Sequence, residues 1–299
     1  MKLLLLGCNG QVGWELRRAL APLGELTALD FDTPGPWRAD FSRPEALPAL
    51  IGALRPDVIV NAAAHTAVDR AEREPELART INAAAPGVIA REAAARGATL
   101  VHYSTDYVFD GSGDAPRAED APAAPLSVYG RTKLEGETLI RASGCRHLIL
   151  RTSWVYAARG GNFARTMLKL AAEREALSVI DDQVGAPTGA DLLADVTAHA
   201  LRTLAARPEL AGTYHCVAAG ETSWFGYARF VVEWARARGH PIRVAPDAIR
   251  PTPTADYPTP ARRPLNSRLD TTRLRRAFAL HLPPWQAGVE RMLAEVLGA

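Results

Sequence analysis

Short apolar runs alternate with Ala-, Leu- and Arg-rich stretches along the first half of the chain. The apolar runs are LLLL before Gly7, ELTALD ending at Asp30, DVIVNAAA from Asp57, TLVHYSTD from Thr99 and HLILRTS from His147. Each run has the length of a buried strand, and each intervening stretch has the length and composition of a helix. The alternation predicts βαβ units, and therefore a parallel sheet with helices on both faces.

The second half of the chain is less regular. Residues 160–180 predict a loop and an amphipathic helix, residues 191–206 a further helix, and GTYHCVA from Gly212 one more strand. A helix rich in Trp and Phe follows Glu221, and after it comes the proline-dense stretch DAIRPTPTADYPTPARRP. Because proline lacks the N–H that a helix needs, this stretch predicts an ordered loop or a lid, with a mobile segment as the alternative.

Composition and charge narrow the class of protein. Of 299 residues, 47% are hydrophobic and 23% are charged, which is enough for a large core. The net charge of +2 and the lack of a long basic run argue against nucleic acid or a membrane surface as a partner. The opening MKLLLLG is too short for a membrane span or a signal peptide, so we expect a cytoplasmic protein. Cys8, Cys145 and Cys216 predict buried small side chains, since they are odd in number and form no CxxC pair.

A glycine-rich turn joins the first predicted strand to the first predicted helix. Gly7, Gly10 and Gly13 stand in the string GCNGQVG, directly before WELRRAL. Glycines permit a tight turn and a close backbone approach, while the N-terminus of a helix offers free N–H groups to a pyrophosphate. Asp30 ends the second strand, where its carboxylate would accept hydrogen bonds from ribose hydroxyls; a role in a turn or a cap is the alternative. These features predict a dinucleotide cofactor.

Tyr129 and Lys133 form a second motif within the string YGRTK. Residues four apart lie on one face of a helix. An ammonium beside a phenol favours the phenolate, so Lys133 is expected to lower the pKa of Tyr129 from about 10 toward the range of a general acid or base. Ser104 and Thr105, at the end of the preceding strand, supply a hydroxyl as the third member. The trio predicts proton transfer next to a dinucleotide.

Strings spread over nearly the whole chain resemble a single family. They are GQVGWEL, RPDVIVNAAAHTAVD, HYSTDYVFDG, YGRTKLEGE, RTSWVY, GGNFARTML, DDQVGAPTGADLLAD and YPTPARRPLNSRL. The glycine spacing and the Tyr–Lys pair are similar to those of the extended short-chain dehydrogenases/reductases, and the full set resembles the bacterial dTDP-4-dehydrorhamnose reductases. The resemblance implies NADPH- or NADH-dependent reduction of the C4 keto group of dTDP-4-dehydro-L-rhamnose to dTDP-L-rhamnose, the last step in making activated rhamnose for surface polysaccharides.

The resemblance also implies roles for individual residues. Tyr129 would be the proton donor and Lys133 its partner, with Thr105 holding the substrate carbonyl. Asn82 would help to position Lys133 through water. The residues implied to bind the cofactor are Gly7, Gly10, Gln11, Val12, Gly13, Asp30, Asp40, Phe41, Ala63, Ala64, His65, Tyr129 and Lys133. Those expected to bind the dTDP-linked substrate are Thr105, Asp106, Trp154 and Arg263.

For two of these substrate residues, the chemistry of the side chain also supports the assignment. Trp154 follows the RTS that ends the fifth strand, so its ring is a candidate for packing against the sugar, and a core aromatic is the alternative. Arg263 lies in the ARRP stretch, and a guanidinium offers paired donors to the oxygens of a substrate diphosphate.

The expected architecture is a doubly wound parallel sheet of the Rossmann type with a smaller C-terminal substrate-binding lobe. Residues 1–155, plus about 191–220, are expected to form the dinucleotide-binding domain. Residues about 156–190 and 221–299 are expected to form the substrate-binding lobe. Since the chain then crosses between the lobes more than once, we expect the active site in the crevice between them.

Three readings of the chemistry stay open. Beside the named reductase stand a reductase or epimerase of another nucleotide sugar, and a non-catalytic homologue such as those that bind methionine adenosyltransferase. Thr105-Asp106 is followed by Tyr107, where related dehydratases carry a Glu, so an eliminating enzyme lacks its usual base. The intact pair of Tyr129 and Lys133 favours an enzyme.

The choice of coenzyme, metal and oligomeric state is also open at this stage. Asp30 disfavours the 2′-phosphate of NADPH, but Arg17 and Arg18 could offset it. The sequence shows no metal-ligand cluster, so Mg²⁺ would bind only if folding or dimerisation gathered Glu15, Asp191 and Glu295. A homodimer is left open in the same way.

Overall fold

The computed structural model describes residues 1–298. In chain order, strands β1 to β12 are Lys2–Leu6, Glu25–Leu29, Val58–Asn61, Thr99–Thr105, Arg146–Thr152, Val155–Tyr156, Leu177–Ile180, Val184–Gly185, Thr188–Gly189, Gly212–His215, Thr222–Ser223 and Ile249–Thr252. Helices α1 to α11 are Gln11–Leu20, Leu47–Leu54, Val68–Ala71, Pro75–Arg79, Ala85–Arg96, Val128–Ala142, Phe163–Glu173, Ala190–Ala206, Trp224–Ala237, Thr272–Phe278 and Trp285–Leu297. Within the described part of the chain, no helix combines the length and the apolar character that a membrane span requires.

Six parallel strands form the central sheet. Their order is β10-β5-β4-β3-β1-β2, so each strand predicted from an apolar run is part of this sheet. The chain passes from β1 to β2 on one side and then returns to β3 on the other. The carboxyl ends of β1 and β3 therefore flank a crevice of the kind that binds ligands in open α/β sheets. The predicted α/β fold is confirmed.

The apolar side chains of the sheet are divided between its two faces. Leu3 and Leu5 point to a core shared with α1, α8 and α10, while Leu4 and Leu6 point to a core shared with α2, α5 and α6. Successive residues of a strand face opposite sides, so a run such as LLLL is buried on both sides. Helices cover both faces, as the doubly wound prediction requires.

A separate core lies in the smaller lobe, where α7, α9 and α11 pack around β7 and β12. Strand β12 pairs in parallel with β7, with Ile249 opposite Leu177. This strand lies within the proline-dense stretch that was predicted to be an ordered loop or a lid. Pro251 is tolerated because β12 is one strand of a two-stranded sheet and has a free edge.

Helix α10 packs against the central sheet, although residues 221–299 were expected to form the smaller lobe. Leu274 and Phe278 are buried in the core of the central sheet, not in that of the smaller lobe. The Phe278 ring meets the ring of Tyr214 with centroids 5.1 Å apart. Strand β10 is the edge strand of the sheet, so α10 supplies the apolar cover that its Tyr214 needs.

Candidate active site

A cavity of about 420 Å³ opens at the carboxyl ends of β1, β2 and β3. Seven of the predicted cofactor residues line it: Gly7, Gly10, Asp30, Asp40, Phe41, Ala63 and Ala64. Asn9, Phe31, Ser42 and Ile81 complete much of the wall. The cavity coincides with the crevice that the order of the strands creates.

The glycine turn shapes one wall of this cavity. Gly7 has φ +81°, and a Cβ there would lie 2.6 Å from the backbone nitrogen of Ala63. A Cβ on Gly13 would lie 1.9 Å from the Gly7 carbonyl oxygen, so the strand and the helix pack too closely for a side chain. At Gly10 a Cβ would meet only that same oxygen, at 3.5 Å, and would otherwise enter the cavity. Helix α1 begins at Gln11 with no side-chain cap, which leaves its first N–H groups for an anion such as a pyrophosphate.

Asp30 and Asp40 also line this cavity. The Asp30 carboxylate accepts hydrogen bonds from the backbone N–H of Asn9 and of Phe31, each at 2.9 Å. The Asp40 carboxylate accepts from the backbone N–H of Ser42 at 2.9 Å and from its hydroxyl at 2.6 Å. Both carboxylates are thus held in fixed orientations, and their remaining lone pairs are available to hydroxyl donors.

Arg17 and Arg18, which could have offset the charge of Asp30, have other partners. Arg18 donates to the Asp195 carboxylate at 2.9 Å. The Arg17 guanidinium lies over the Trp14 ring, 5.1 Å from its centroid. Within residues 1–298, neither guanidinium donates to the Asp30 carboxylate, whose donors are the backbone N–H groups of Asn9 and Phe31.

The side chain of Asn82 forms hydrogen bonds to the backbone of His65. Its side-chain oxygen accepts from the His65 N–H at 2.8 Å, and its amide nitrogen donates to the His65 carbonyl at 3.1 Å and to the Thr132 hydroxyl at 3.2 Å. A Cβ on Gly136 would lie 2.2 Å from the Asn82 carbonyl oxygen, so α6 packs closely here. The amide of Asn82 thus contacts His65 and Thr132, and its implied role in positioning Lys133 through water stays a prediction.

Tyr129 lies in the first turn of α6, which Ser127 caps by accepting the Gly130 N–H at 3.1 Å. Removal from water raises the pKa of the Tyr129 phenol to about 12, and a hydrogen bond with the Thr105 hydroxyl limits the rise. The phenol is therefore protonated at neutral pH. A protonated phenol is what a proton donor requires.

Lys133 lies one turn further along α6 and is buried. Its Nζ lies 3.2 Å from His102 Nε2 and donates to the Tyr103 carbonyl at 2.6 Å. Burial lowers the pKa of Lys133 to about 8, against the opposing effect of Glu137. The prediction that Lys133 lowers the pKa of Tyr129 is wrong in this arrangement, because the amine faces His102 and burial dominates at the phenol.

Asp106 follows Thr105 at the end of β4 and is buried. One of its oxygens accepts from the Thr105 hydroxyl at 3.1 Å, while the other has no hydrogen-bond partner among residues 1–298. Burial raises the pKa of this carboxyl to about 6. The Tyr107 ring then meets the Tyr129 ring edge to face, with centroids 5.5 Å apart.

A second cavity, of about 660 Å³, begins at Tyr107 and extends into the smaller lobe. Its wall includes Asp69, Phe163, Met167, Leu170, Gln183, Trp224, Tyr257 and Arg263. Arg263 forms a two-point ion pair with Asp69, at 3.1 and 2.7 Å. Trp154 stacks on Trp224 with centroids 3.7 Å apart, and Trp224 is the indole in the wall. The smaller cavity is thus lined by predicted cofactor residues, and the larger one by Arg263, a predicted substrate residue.

Comparison with known proteins decides the family. The family model described as "RmlD substrate binding domain" matches residues 1–297. The dTDP-4-dehydrorhamnose reductase of Escherichia coli (strain K12) is 56% identical over 296 residues, 99% of this chain and 98% of the relative. The chain belongs to the dTDP-4-dehydrorhamnose reductase family.

Solved structures of this reductase family have the same fold. The dTDP-4-dehydrorhamnose reductase from Clostridium acetobutylicum superposes with a TM-score of 0.89 at 34% identity, covering 100% of both chains. The reductase from Bacillus anthracis, solved in complex with NADP, gives a TM-score of 0.86 at 32% identity, covering 98% of this chain and 99% of that one. One solved member of the family thus has NADP bound.

Magnesium, left open for this reductase by the sequence, finds no support in the structure. Glu15, Asp191 and Glu295 do line one small cavity, but Arg291 donates to the Asp191 carboxylate at 2.6 Å. Among residues 1–298 no group of three His, Cys, Asp or Glu side chains is placed to hold a metal ion. An arginine in contact with Asp191 supplies the positive charge there instead.

Several residues at the reductase site were missed by sequence reasoning. They are Asp69, Gln183, Trp224 and Tyr257 in the wall of the larger cavity, and His102 beside Lys133. Asp69, His102, Gln183 and Tyr257 stand within strings that carried the family resemblance, which was the one available signal. Trp224 reaches the site only through the packing of the smaller lobe, which no local pattern reveals.

Proposed function

We propose that this protein reduces the C4 keto group of dTDP-4-dehydro-L-rhamnose to give dTDP-L-rhamnose, using NADH or NADPH. The observation that carries the proposal is the protonated phenol of Tyr129 beside the hydroxyl of Thr105, next to a cavity that is large enough for a nucleotide sugar. Membership of the reductase family supports the identity of the substrate.

The sheet side of the site is assigned to the cofactor. Gly7, Gly10 and the first turn of α1, from Gln11 through Val12 to Gly13, would hold the pyrophosphate. Asp30 would accept the adenosine ribose hydroxyls, Asp40 and Phe41 would flank the adenine, and Ala63, Ala64 and His65 would border the nicotinamide half. A nicotinamide dinucleotide, when bound, supplies the hydride. Because Arg17 and Arg18 are engaged elsewhere, Asp30 favours NADH over NADPH.

Tyr129 would give its proton to the C4 oxygen as the carbonyl becomes an alcohol. Thr105 would hold that oxygen: its hydroxyl accepts from the Tyr107 N–H at 3.2 Å, and its proton, which is donated to Asp106 at 3.1 Å in this structure, would turn to the carbonyl oxygen. The buried phenolate left behind is costly, as the pKa of about 12 indicates. A positive charge on Lys133, one turn away, would stabilise it until the proton is replaced.

The larger cavity is assigned to the substrate. Asp106 stands in the chain between Thr105 and Tyr107, a residue of the cavity wall, and Trp154 supports the indole of Trp224 in that wall. Arg263 is assigned to the diphosphate, because a guanidinium has five N–H donors and the two-point pair with Asp69 orients it without using all of them. The residues expected to form the smaller lobe would thus discriminate between sugars, and the homodimer stays a prediction.

A panel of substrates tests this function. The purified enzyme would receive dTDP-4-dehydrorhamnose, its glucose-configured 4-keto precursor or a UDP-linked 4-keto sugar, and coenzyme absorbance and product stereochemistry would be followed. We expect efficient reduction of the first compound alone, and neither dehydration of dTDP-glucose nor epimerisation of UDP-galactose. Reduction of the UDP-linked sugar without reduction of dTDP-4-dehydrorhamnose would contradict the proposal while leaving the reductase class intact.

A further inference from the structure

A buried chain of hydrogen bonds runs behind Lys133. The Ala63 N–H donates to the Asn61 side-chain oxygen at 3.0 Å, the Asn61 amide nitrogen lies 3.0 Å from His102 Nδ1, and His102 Nε2 lies 3.2 Å from Lys133 Nζ. Asn61, His102 and Lys133 are each at most 2% exposed, so water does not compete for these contacts. Asn61 is the last residue of β3, His102 lies in the middle of β4, and Lys133 is on α6.

The direction of every hydrogen bond in this chain follows from its first member. A backbone N–H only donates, so Ala63 fixes the oxygen of the Asn61 amide on its own side. The NH₂ group of Asn61 must then face His102, where it donates to Nδ1. An imidazole nitrogen that accepts carries no proton, so the proton of the neutral His102 ring is on Nε2.

The charge on Lys133 follows in turn. An ammonium has three donors and no acceptor, so it would oppose the Nε2–H of His102 as donor against donor. An uncharged amine has a lone pair that accepts the Nε2–H, while one of its own hydrogens is donated to the Tyr103 carbonyl at 2.6 Å. Burial lowers the pKa of His102 well below its usual value and that of Lys133 to about 8, so both partners are neutral above about pH 8.

Other ionisable groups around α6 do not supply an alternative partner for Lys133. Glu137, one turn further on, opposes the lowering of its pKa, but this carboxylate already accepts two hydrogen bonds from Arg151, at 2.8 and 2.7 Å, and one from Arg141 at 3.0 Å. Tyr129 is protonated at neutral pH. The remaining ionisable groups that the packed elements bring against α6 are Glu72, Arg79, Tyr103, Asp106, Tyr107 and Glu135.

We propose that His102 is a positioning residue for Lys133: its Nε2–H holds the uncharged amine, and binding of a nicotinamide dinucleotide takes up one proton as Lys133 leaves His102 and becomes an ammonium. The amine nitrogen gains the proton from the buffer, and no bond is broken other than hydrogen bonds. The inference rests on the proposed role of Lys133 in cofactor binding. In this arrangement His102 disfavours the ammonium form of Lys133, which is the form that stabilises the phenolate of Tyr129.

The tautomer of His102 is measured directly by ¹⁵N NMR. Uniformly ¹⁵N-labelled enzyme is studied without cofactor at about pH 9, where the Lys133 amine is uncharged, and the His102 ring signals are identified by their loss in a His102→Gln variant. We expect a protonated Nε2 and an unprotonated Nδ1. A proton on Nδ1, or on both nitrogens, would overturn the inference, and this measurement is made on the wild-type chain.

Proton uptake on cofactor binding is measured by calorimetry with NADH, which has no 2′-phosphate to titrate. Titrations in buffers of different ionisation enthalpy give the number of protons taken up per NADH bound. We expect a value near zero at about pH 6.5 and approaching about one at about pH 9, with an affinity that falls about tenfold per pH unit above the pKa of Lys133. A value of zero at about pH 9 would contradict the coupling.

Variants of His102 separate this role from simple packing. His102→Leu removes the donor, so the midpoint of proton uptake should move to higher pH, and His102→Gln, whose amide N–H replaces it, should restore the midpoint. Equal midpoints in the wild type and His102→Leu would overturn the assignment. If NADH binds without proton uptake and the sugar is still reduced, the inference about His102 is contradicted and the proposed function stands. If NADH and NADPH do not bind, the proposed function fails with the inference.

Discussion

At the scale of single residues, burial sets the protonation states that the chemistry needs. The Tyr129 phenol keeps its proton, the Lys133 amine loses one easily, and the Asp106 carboxyl holds a proton to about pH 6. Each shift has the direction that removal from water imposes, toward the neutral form. The site thus holds a proton donor together with two side chains whose charge changes near neutral pH.

The raised pKa of Asp106 predicts a pH-dependent cost to stability. An acid whose pKa is higher in the folded protein than in the unfolded chain contributes stability at low pH, and this contribution is lost as the pH rises through the folded value, here from about 4 to about 6. Asp106→Asn cannot ionise. We expect its free energy of unfolding, relative to wild type, to be about 2–3 kcal/mol more favourable at about pH 8 than at about pH 4. Urea unfolding at both pH values measures this, and an unchanged difference would argue against a buried, unpaired carboxylate.

Asp30 is predicted to set the coenzyme preference. Its carboxylate stands where a 2′-phosphate would approach, and Arg17 and Arg18 do not neutralise it. We expect Asp30→Ala to raise the affinity for NADPH relative to NADH by about tenfold, or about 1.4 kcal/mol. Asp32→Ala is the matched control, since Asp32 is exposed and contacts only the Asn9 side chain. A ratio that changes equally in both variants would mean that general charge near the cavity, and not Asp30, makes the distinction.

At the scale of elements, the turn from β1 to α1 separates a folding role from a binding role among its glycines. A Cβ on Gly13 collides with the Gly7 carbonyl at 1.9 Å, whereas a Cβ on Gly10 makes an ordinary 3.5 Å contact. We expect Gly10→Ala to keep the wild-type melting temperature but to lose about tenfold or more in NADH affinity. Gly13→Ala should unfold at clearly lower temperature. Calorimetry and thermal melts check both, and a Gly10→Ala protein with normal affinity would place the pyrophosphate elsewhere.

Helix α6 is tied to strand β5 by a buried ion pair. Glu137 is fully buried, and Arg151 donates two hydrogen bonds to it. Because removal of one partner leaves the other charge buried, we expect Glu137→Ala to cost about 3–5 kcal/mol of unfolding free energy. Glu135→Ala, two residues earlier on the same helix, breaks an exposed pair with Arg79 and should cost about 0–1 kcal/mol. Equal costs, measured by denaturant unfolding, would show that the burial of Glu137 is not decisive.

The elements themselves were largely predictable from the sequence. Apolar runs such as DVIVNAAA revealed the strands of the sheet, because a strand covered on both faces has few polar positions. Strand β12 was missed, since its partner β7 lies about 70 residues away in the sequence and pairing between distant strands leaves no local pattern. The packing of α10 on the central sheet was also missed, because no local pattern shows which of two cores a helix will join.

The chemistry of the site was predictable only in part. Gly7 and Gly10 were predicted from the glycine turn, and Tyr129 and Lys133 from their spacing of four residues. In both motifs the spacing follows from the chemistry that the residues perform. What the side chain of Lys133 contacts depends on a histidine about 30 residues earlier, on another element. The sign of the pKa shift at Tyr129 was therefore out of reach, because it depends on how completely the fold removes the phenol from water.

At the scale of the whole molecule, the site exists because two lobes meet. The sheet brings Thr105 and the start of α6 to one edge, and the smaller lobe places Trp224 and Arg263 across from them. Gln11 and Asn162 lie in contact across the same boundary, with their side chains 3.5 Å apart. The cofactor and the substrate would each be held mainly by one lobe, so the reaction depends on their relative position.

The central claim, that Tyr129 donates the proton in a keto-sugar reduction, is tested most directly by single-turnover reduction of dTDP-4-dehydrorhamnose in Tyr129→Phe. Tyr214→Phe is the matched control, because it removes a hydroxyl that bonds only the Leu210 carbonyl, far from the site. We expect the rate of coenzyme oxidation to fall about 10²- to 10⁴-fold in Tyr129→Phe, with NADH affinity unchanged, and to stay near wild type in Tyr214→Phe. A Tyr129→Phe enzyme that reduces saturating substrate at the wild-type rate would contradict the account.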